Sequence, residues 1–337
     1  MNPINIRNYS SSDWPGVAEL ITAWEFKPFS GYAFWPPGLL EDYCLRTLAK
    51  SLASPPSLAL VAESDDSFVG LVILNMLPWD SDQLGCPVGR LDYLLAEGTY
   101  WEQFAIKMKL MEMVHQYRAE KVLSFLNARV HASDLTSLHV LEQAGFITVD
   151  GILTFLIDVN DRLISPPQDA ENIKIRLATL ADRDILVEMA RATFLYDRFH
   201  SDPFIALDVA DELHGVWLEN SVNGTAADAV ILAENDTGPL GFVTCKLQHS
   251  TKSGLGKLLG TIVLVGTAKE ARGKGVARQM SSFALAWFKQ QGVDMVEVGT
   301  QLRNIPAARL YQRCGFRLVN SSISLSKFYP QDVSKRI

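Results

Sequence analysis

The hydrophobic and polar positions of this chain follow one pattern twice. Residues 57–77 read SLALVAESDDSFVGLVILNML, two β-rich runs around a polar turn, which predicts a β-hairpin. Residues 229–247 read AVILAENDTGPLGFVTCKL and show the same features in the same order, with Leu-Ala-Glu matching an earlier Val-Ala-Glu at an offset of 171. Residues 141–146 and 311–316, which both end in Gly-Phe, match at an offset of 170. Two matches at nearly one offset predict a tandem duplication.

The sequence pattern of each half predicts the same order of secondary-structure elements. A short strand comes first, and then a helix that starts near a Ser or Thr and an Asp, the hairpin, and another strand. An amphipathic helix with aromatic and Met residues at helical spacing follows, then a strand, a short helix that ends at Gly-Phe, and closing strands. The corresponding single strands are Ile4–Arg7 and Ile173–Arg176, Arg90–Leu95 and Gly260–Gly266, and Val122–Ala128 and Met295–Gln301. The predicted fold class is α/β, a mixed sheet with helices in each of two copies.

The segment between the halves, residues 160–172, reads NDRLISPPQDAEN. It combines a Pro pair and polar residues and has no hydrophobic period, which is typical of a linker. We therefore predict a first domain over residues 1–159, a linker over residues 160–172 and a second domain over residues 173–337. The length of 337 residues suits two domains.

Composition and charge then exclude several classes of protein. The 48% of hydrophobic residues exclude a disordered chain, and the net charge of −7 disfavours a nucleic-acid binder. No apolar stretch approaches 18 residues and the start lacks the pattern of a signal peptide, so we expect a cytoplasmic monomer or homodimer with no membrane partner. The four cysteines lack metal-ligand spacing, which predicts reduced thiols and no metal. Residues 173–337 carry 20 basic and 16 acidic side chains, whereas residues 1–172 carry 11 and 22, so the second half suits phosphates better.

The segment with the clearest chemistry is residues 261–277, TIVLVGTAKEARGKGVA, in which a β-branched strand runs into a glycine-rich turn and a helix. The unpaired N–H groups and the dipole of a helix N-terminus can hold a pyrophosphate. Gly273 and Gly275 allow the backbone to approach the phosphates, and Arg272 and Lys274 add cationic donors. The glycine spacing matches neither a dinucleotide-binding fingerprint nor a Walker A loop.

The form Arg272-x-x-Gly275-x-Ala277 after a strand resembles the acyl-CoA pyrophosphate loop of the GNAT N-acyltransferase superfamily. A second landmark of that superfamily follows, because Asn304 comes after the next strand and Tyr311 lies seven residues beyond it. The resemblance implies two tandem GNAT folds and an N-acetyltransferase that uses acetyl-CoA as co-substrate without a metal.

The resemblance also implies a role for each site residue. Tyr311 would protonate the leaving thiolate as general acid, and Asn304 would hold the pantetheine arm or orient the following helix. A backbone N–H near Leu264 would polarise the thioester carbonyl. The implied cofactor-binding residues are Val263, Leu264, Val265, Arg272, Gly273, Lys274, Gly275, Val276, Ala277 and Asn304.

The sequence indicates the general base and the number of active sites less directly. The strand Gly260–Gly266 carries no carboxylate, so the candidates are His200, Asp202, a water chain, or an amine delivered neutral. Subtracting 170 from the loop positions leads to Glu102, Ala105 and Lys107, and subtracting 170 from Tyr311 leads to Leu141, which cannot donate a proton. We therefore predict one catalytic centre, in the second half, with the first half as a degenerate partner.

Three patches, residues 77–85, 194–203 and 217–224, are similar to dTDP-4-amino-4,6-dideoxygalactose (dTDP-fucosamine) acetyltransferases, whose usual extent leaves out the first 75 or so residues. This narrower resemblance implies a small-molecule amine acceptor such as a dTDP-amino sugar. Arg198 could pair with a phosphate and His200 could accept a proton, with Asn220 as a third acceptor-site residue. Alternatively, Arg198 and Asp202 form an ion pair on a helix and Asn220 is a cap. The acceptor could also be an antibiotic, a polyamine or a protein N-terminus, or the protein could bind acyl-CoA without catalysis.

Overall fold

A computed structural model describes residues 3–53, 57–65, 67–160 and 172–330. The chain divides into two compact units, which comprise residues 1–151 with 321–337 and residues 152–320. We call them the first unit and the second unit. No helix within the described ranges has the length and apolar character that a membrane crossing requires.

The first unit is a mixed sheet with helices on its faces. Its strands, in their order across the sheet, are β1 (Asn5–Asn8), β2 (Leu58–Ser64), β3 (Ser67–Met76), β4 (Val88–Ala96), β5 (Phe125–His131) and β12 (Arg317–Phe328). Among these described strands, only the β4–β5 pair is parallel. The helices of this half are α1 (Trp14–Ala23), α2 (Pro37–Ala53), α3 (Pro78–Leu84), α4 (Tyr100–Lys121) and α5 (Leu135–Gln143). Strand β3 is apolar along most of its length because both of its faces are covered: Val72 and Leu74 pack into one core cluster, and Leu71 and Ile73 into another.

The second unit has the same architecture. Its strands, in their order across the sheet, are β6 (Ile147–Asp158), β11 (Met295–Gln301), β10 (Leu259–Thr267), β9 (Gly238–Gln248), β8 (Ala229–Asn235) and β7 (Lys174–Leu177). Among these described strands, only the β10–β11 pair is parallel. The helices of this half are α6 (Arg183–Arg191), α7 (Arg198–Ser201), α8 (Leu207–Val222), α9 (His249–Leu255), α10 (Val276–Gln290) and α11 (Ile305–Arg313). Helix α10 packs on one face of this sheet and helices α6 and α8 on the other. The predicted α/β class with two copies of one mixed-sheet fold is confirmed.

A charge network occurs once in each unit at equivalent positions. In the second unit, Arg176 on β7 donates to both carboxylate oxygens of Asp182 at 2.7 Å and to those of Glu234 on β8 at 2.7 and 2.9 Å. Arg7 makes the same contacts with Asp13 and Glu63 in the first unit. Such bidentate pairs require a fixed geometry. Their recurrence at offsets of 169 to 171 supports the duplication.

The compact units do not coincide with the segments 1–159 and 173–337, because each sheet is closed by a strand from the other half of the chain. Residues 152–158 of β6 pair with β11 in the second unit, where Phe155 is buried. Residues 322–328 of β12 pair with β5 in the first unit, where Leu325 is buried. The boundaries drawn along the chain stay a prediction for the duplicated segments, and residues 161–171 of the predicted linker lie outside the described residues.

Candidate active site

The strands β10 and β11 pair at one end and separate at the other. Their parallel register runs from Leu259 opposite Met295 to Ile262 opposite Val298. Both strands continue beyond this point, β10 to Thr267 and β11 to Gln301, while each stays paired with its outer neighbour. The result is an opening in the sheet whose edges are unpaired main-chain groups of β10 and β11.

A β-bulge at the start of this opening sets which backbone N–H points into it. The β9–β10 register shifts between Ile262 and Val265, and the Leu264 N–H donates to the Thr244 hydroxyl at 2.9 Å. Further along, the Ala268 N–H donates to a β9 carbonyl at 2.9 Å. Because ladder hydrogen bonds alternate, the Val265 N–H points away from β9 and toward the opening. Of the backbone N–H groups of Leu264 and Val265, that of Leu264 is occupied and that of Val265 faces the opening.

The glycine-rich turn joins β10 to α10 in the manner expected of an anion-binding loop. Gly273 and Gly275 have φ values of 76° and 82°, a left-handed conformation that favours glycine. Gly275 is the N-cap of α10, and no side chain caps this helix end. Arg272 and Lys274 are exposed, whereas the side chain of Val276 is buried in the core. Only the backbone N–H of Val276 can therefore face a ligand, and Ala277 is half-buried beside it.

Asn304 and Tyr311 occupy the two ends of one short helix. Asn304 is the N-cap of α11, and its side-chain oxygen accepts the Ala307 N–H at 3.2 Å, which orients the helix. Tyr311 is 3% exposed and packs between the rings of Phe155 and Phe316. Burial raises the pKa of Tyr311 above its usual range, so the phenol keeps its proton at neutral pH.

A carboxylate that the sequence pattern did not indicate lies next to the opening. Val296 and Val298 share a core cluster with Tyr311, so Glu297 between them points to the opposite face of the sheet. The Thr261 hydroxyl donates to Glu297 Oε1 at 2.9 Å and accepts from the side chain of Gln248 at 3.2 Å. Strand β10 carries no carboxylate, and Glu297 lies on the neighbouring strand β11. The available signal was a single acidic residue in an otherwise uncharged strand, MVEVGTQ.

The segment that contains Arg198 and His200 is held against the loop after β11. Arg303 in that loop donates to the carbonyl of Tyr196 at 3.3 Å and contacts the Ser201 hydroxyl. The Arg198 guanidinium lies over the ring of the adjacent Phe199, 4.1 Å from its centroid. The structure thus places this predicted acceptor segment beside the residues that lead into Asn304.

His200 does not have the arrangement predicted for it. Its side chain is 5% exposed, and its ring nitrogens lie 2.6 Å from Asp197 Oδ2 and 3.0 Å from Asp211 Oδ1. Burial lowers the pKa of His200, but its hydrogen bonds to the two carboxylates raise the pKa by more. Both ring nitrogens of His200 thus face carboxylates of the chain itself and not an open substrate site, and its assignment as proton acceptor stays a prediction.

The other two predicted residues of the acceptor region take structural positions. The side chain of Asp202 is buried, and its Oδ1 accepts the Phe204 N–H at 3.0 Å. Asn220 lies in the last turns of α8, where its carbonyl accepts the N–H groups of Thr225 and Ala226 and closes the following turn. The C-cap of α8 is Asn223, three residues further on, and the acceptor-site role of Asn220 stays a prediction.

The first unit keeps the same opening but not the loop. Strands β4 and β5 pair only from Val88 to Leu91, and the β3–β4 register shifts at the equivalent position. However, only residues 97–99 separate β4 from α4. Glu102 Oε2 accepts the Thr99 N–H at 2.8 Å and the Thr99 hydroxyl at 2.7 Å, so a carboxylate of the chain itself occupies this helix N-terminus.

A buried polar cluster fills the space beside the strand opening of the first unit. The Lys107 ammonium donates to the Ser137 hydroxyl at 2.8 Å and lies 3.4 Å from Asp134. The Ser137 hydroxyl in turn donates to Asp134 at 2.7 Å and lies 3.4 Å from the carbonyl of Leu94, the equivalent of Val265. Leu141 is buried where the second unit has Tyr311. These contacts support the prediction of a single catalytic centre in the second unit.

Comparisons with known proteins cover both halves of the chain. A model described as "Acetyltransferase (GNAT) family" matches residues 189–316, and one described as "Acetyltransferase (GNAT) domain" matches residues 4–147. A spore coat polysaccharide biosynthesis protein, SpsD of Bacillus subtilis, is 26% identical over 282 residues, which cover 82% of this chain and 90% of the relative. A dTDP-fucosamine acetyltransferase of Escherichia coli is 26% identical over 193 residues, which cover 57% of this chain and 76% of the relative.

Two solved structures resemble the whole chain in fold. A GCN5-related N-acetyltransferase from Sphaerobacter thermophilus has a TM-score of 0.65 at 17% identity and covers 99% of this chain and 100% of its own. A tandem GNAT protein from the clavulanic acid biosynthesis pathway has a TM-score of 0.55 at 12% identity and covers 98% of this chain and 100% of its own.

Proposed function

The chain belongs to the acetyltransferase (GNAT) family in both of its halves, and on this premise we propose that it transfers the acetyl group of acetyl-CoA to the amine of an amino sugar nucleotide. The observation that carries the proposal is the opening between β10 and β11. Among the described residues, only the second unit combines such an opening with a glycine-rich helix N-terminus without a side-chain cap and with a buried tyrosine where the first unit has Leu141.

The proposed arrangement places the two substrates on opposite faces of the sheet. The pyrophosphate of acetyl-CoA lies at the turn from Arg272 to Val276, and the pantetheine arm enters the opening from the α10 face. The Val265 N–H donates to the thioester oxygen as negative charge develops there. The amine approaches from the face of α6 and α8, where Leu264 packs.

The chemical step forms one bond and breaks one. The amine nitrogen attacks the thioester carbon, a C–N bond forms, and the C–S bond then breaks. The sulfur takes the proton of the Tyr311 hydroxyl, which burial keeps protonated at neutral pH. The phenolate regains a proton from solvent before the next turnover.

The proton that the amine loses needs an acceptor on the other face. Glu297 is proposed for this role, because it lies on that face next to the opening. Its hydrogen bond from Thr261 holds one carboxylate oxygen in place. A water bridges the distance to the amine in this proposal. The amide introduced by Glu297→Gln would keep the hydrogen bond from Thr261 and lose the basicity of the carboxylate.

The acceptor class rests on the relatives and on the surface around the opening. One relative is named a dTDP-fucosamine acetyltransferase, and another is named for polysaccharide biosynthesis. Four exposed apolar side chains lie near Arg303, in its own loop or in the segment that it contacts, and such side chains suit a sugar or base ring. They are Leu302 and Ile305 in the loop and Leu195 and Tyr196 in the contacted segment. The excess of basic residues in the second half suits a diphosphate.

An acceptor panel read out by thiol release tests the function. The panel contains dTDP-amino sugars, free amino sugars, a polyamine, an aminoglycoside antibiotic and a peptide with a free N-terminus. The proposal predicts the highest kcat/KM with a sugar nucleotide. A higher value with another amine would keep the chemistry and replace the acceptor, and no thiol release with any amine would favour acyl-CoA binding without catalysis.

Two substitutions test the residue roles. Tyr311→Phe keeps the ring packing and is expected to lower kcat by about 10²- to 10⁴-fold with little change in acetyl-CoA affinity. Tyr329→Phe is the matched control, because the Tyr329 hydroxyl is also buried but lies in the first unit. Glu297→Gln is expected to lower kcat/KM at neutral pH and to regain activity as pH rises, because the amine then arrives without its extra proton. A loss independent of pH would remove Glu297 as the proton acceptor.

A further inference from the structure

Three side chains of the second unit converge on one buried point that the acetyl-transfer chemistry does not use. They are Asp197, the N-cap of α7, His200 within α7, and His214 in the middle of α8. One ligand atom from each lies within 4.8 Å of the other two. Their side chains are 12%, 5% and 2% exposed. Polar groups are costly to bury without partners, so the burial of two imidazoles and a carboxylate at one point requires an explanation.

The outer nitrogen of each histidine is held by an acceptor. His214 Nδ1 lies 2.8 Å from the Ala210 carbonyl, and because a carbonyl only accepts, this nitrogen carries the proton. The lone pair of His214 Nε2 then faces Asp197 Oδ2, 3.7 Å away. His200 Nε2 lies 3.0 Å from Asp211 Oδ1. Imidazoles that bind a metal donate their other N–H to a carboxylate or a carbonyl in this way.

We propose that Asp197, His200 and His214 bind a divalent transition-metal ion, with Zn²⁺ as the best match. The ligand atoms are Asp197 Oδ2, His200 Nδ1 and His214 Nε2, and a water completes the shell. Two imidazoles and one carboxylate suit zinc, whereas calcium and magnesium prefer oxygen ligands only. Ligand atoms of a tetrahedral zinc site are about 3.3 Å apart, so the widest separation closes by side-chain rotation.

Binding replaces a proton by the metal. In the structure, His200 Nδ1 lies 2.6 Å from Asp197 Oδ2, within reach of a hydrogen bond when this nitrogen carries a proton, and Nε2 lies 3.0 Å from Asp211 Oδ1. The ion takes the place of the Nδ1 proton, which is released to solvent, while the Nε2 proton stays on its bond to Asp211. Metal affinity is therefore expected to rise with pH.

The position of the site gives the ion a structural role. Arg303 contacts Tyr196 and Ser201, which flank the cluster in sequence, so the ion would fasten the segment beside the β11–α11 loop to helix α8. This inference does not depend on which amine is acetylated. The spacing of the cysteines predicted no metal, whereas these ligands are a histidine three residues after an aspartate and a second histidine 14 residues further on.

The test uses the full chain, free of affinity tags and stripped with a chelator. Calorimetric titration with ZnCl₂ is expected to show one saturable equivalent, tighter at pH 8 than at pH 6, and a higher Tm with zinc. His214→Phe, which keeps the ring stack on Phe194, is expected to abolish binding. His249→Ala, an exposed histidine of α9, is the control and is expected to bind as the wild type does.

A second variant keeps the proposal testable if His214→Phe fails to fold. Asp211 is not a ligand, and its side chain is 45% exposed, so Asp211→Asn is expected to fold. Loss of an outer-shell carboxylate is expected to weaken zinc binding by about 10- to 100-fold. Absence of saturable binding by the wild type, or equal binding by wild type, His214→Phe and Asp211→Asn, would overturn the proposal. The contact between His200 and Asp197 would then be a hydrogen bond through a proton, with no metal ion in the cluster.

Discussion

The conformation of Gly275 makes a sharp prediction about acetyl-CoA binding, because the same helix offers a matched control. Gly275 precedes α10 with φ of 82°, and Gly292 follows α10 with φ of 71°. A Cβ atom added at either glycine would meet no other atom within 4 Å. Gly275→Ala and Gly292→Ala therefore introduce the same backbone strain without a clash, at opposite ends of one helix.

The magnitude follows from the backbone alone. An L-residue in the left-handed region costs about 1–2 kcal/mol relative to glycine. Both variants are expected to lose up to this free energy of unfolding, which corresponds to a fall in Tm of about 2–8 °C. Only Gly275→Ala is expected to weaken acetyl-CoA binding, because relaxation of the strained turn moves the N–H groups that we propose as the pyrophosphate site. An energy of about 1–2 kcal/mol corresponds to about a 5- to 30-fold higher Kd.

The assay pairs thermal unfolding with calorimetric titration of acetyl-CoA for both variants and the wild type. The expected result is a similar loss of stability in the two variants and a higher Kd in Gly275→Ala only. If Gly275→Ala loses stability but binds acetyl-CoA as tightly as Gly292→Ala does, the pyrophosphate does not depend on this turn, and our account of the cofactor site is wrong.

Three further predictions concern the supporting structure. Thr244→Val removes the hydroxyl that accepts the Leu264 N–H at the β-bulge. This substitution is expected to cost about 1–3 kcal/mol of stability, measured by urea unfolding. It is also expected to lower kcat more than it changes the Kd of acetyl-CoA. Arg176→Met removes the hydrogen bonds that hold the pKa of Asp182 far below its usual range. A carboxylate with a depressed pKa stabilises the folded state at pH values above its unfolded-state pKa of about 4. The loss of unfolding free energy in this variant, measured with urea, should therefore be present at pH 7 and shrink as pH falls below 4. Lys107→Met is expected to destabilise the first unit by about 1–3 kcal/mol without changing acetyl-transfer kinetics. In a double-mutant cycle, adding Asp134→Asn to this variant should recover part of the lost stability. Unchanged stability of the single variant would contradict the role of this buried cluster.

Much of the second unit could be predicted because its signals are local. The turn from Arg272 to Ala277 and the helix from Asn304 to Tyr311 each lie within one short segment, where backbone conformation, capping and helical spacing depend on neighbours in sequence. The same holds for the hairpins, which the structure forms at the predicted positions. His200 shows the limit of this approach, because its residue type is compatible with catalysis but its partner Asp211 lies eleven residues away on another helix.

The sequence by itself determined the duplication, the mixed α/β class and the position of the glycine-rich turn, because these follow from periodicity and from residues that are neighbours in the chain. Only the tertiary structure decided which strands are adjacent. It places Glu297 beside Thr261, directs the Val265 N–H into the opening, and closes each sheet with a strand from the other half of the chain. Alternation along a strand indicates which side chains share a face, but pairing between distant strands depends on long-range register and packing, which no local pattern encodes.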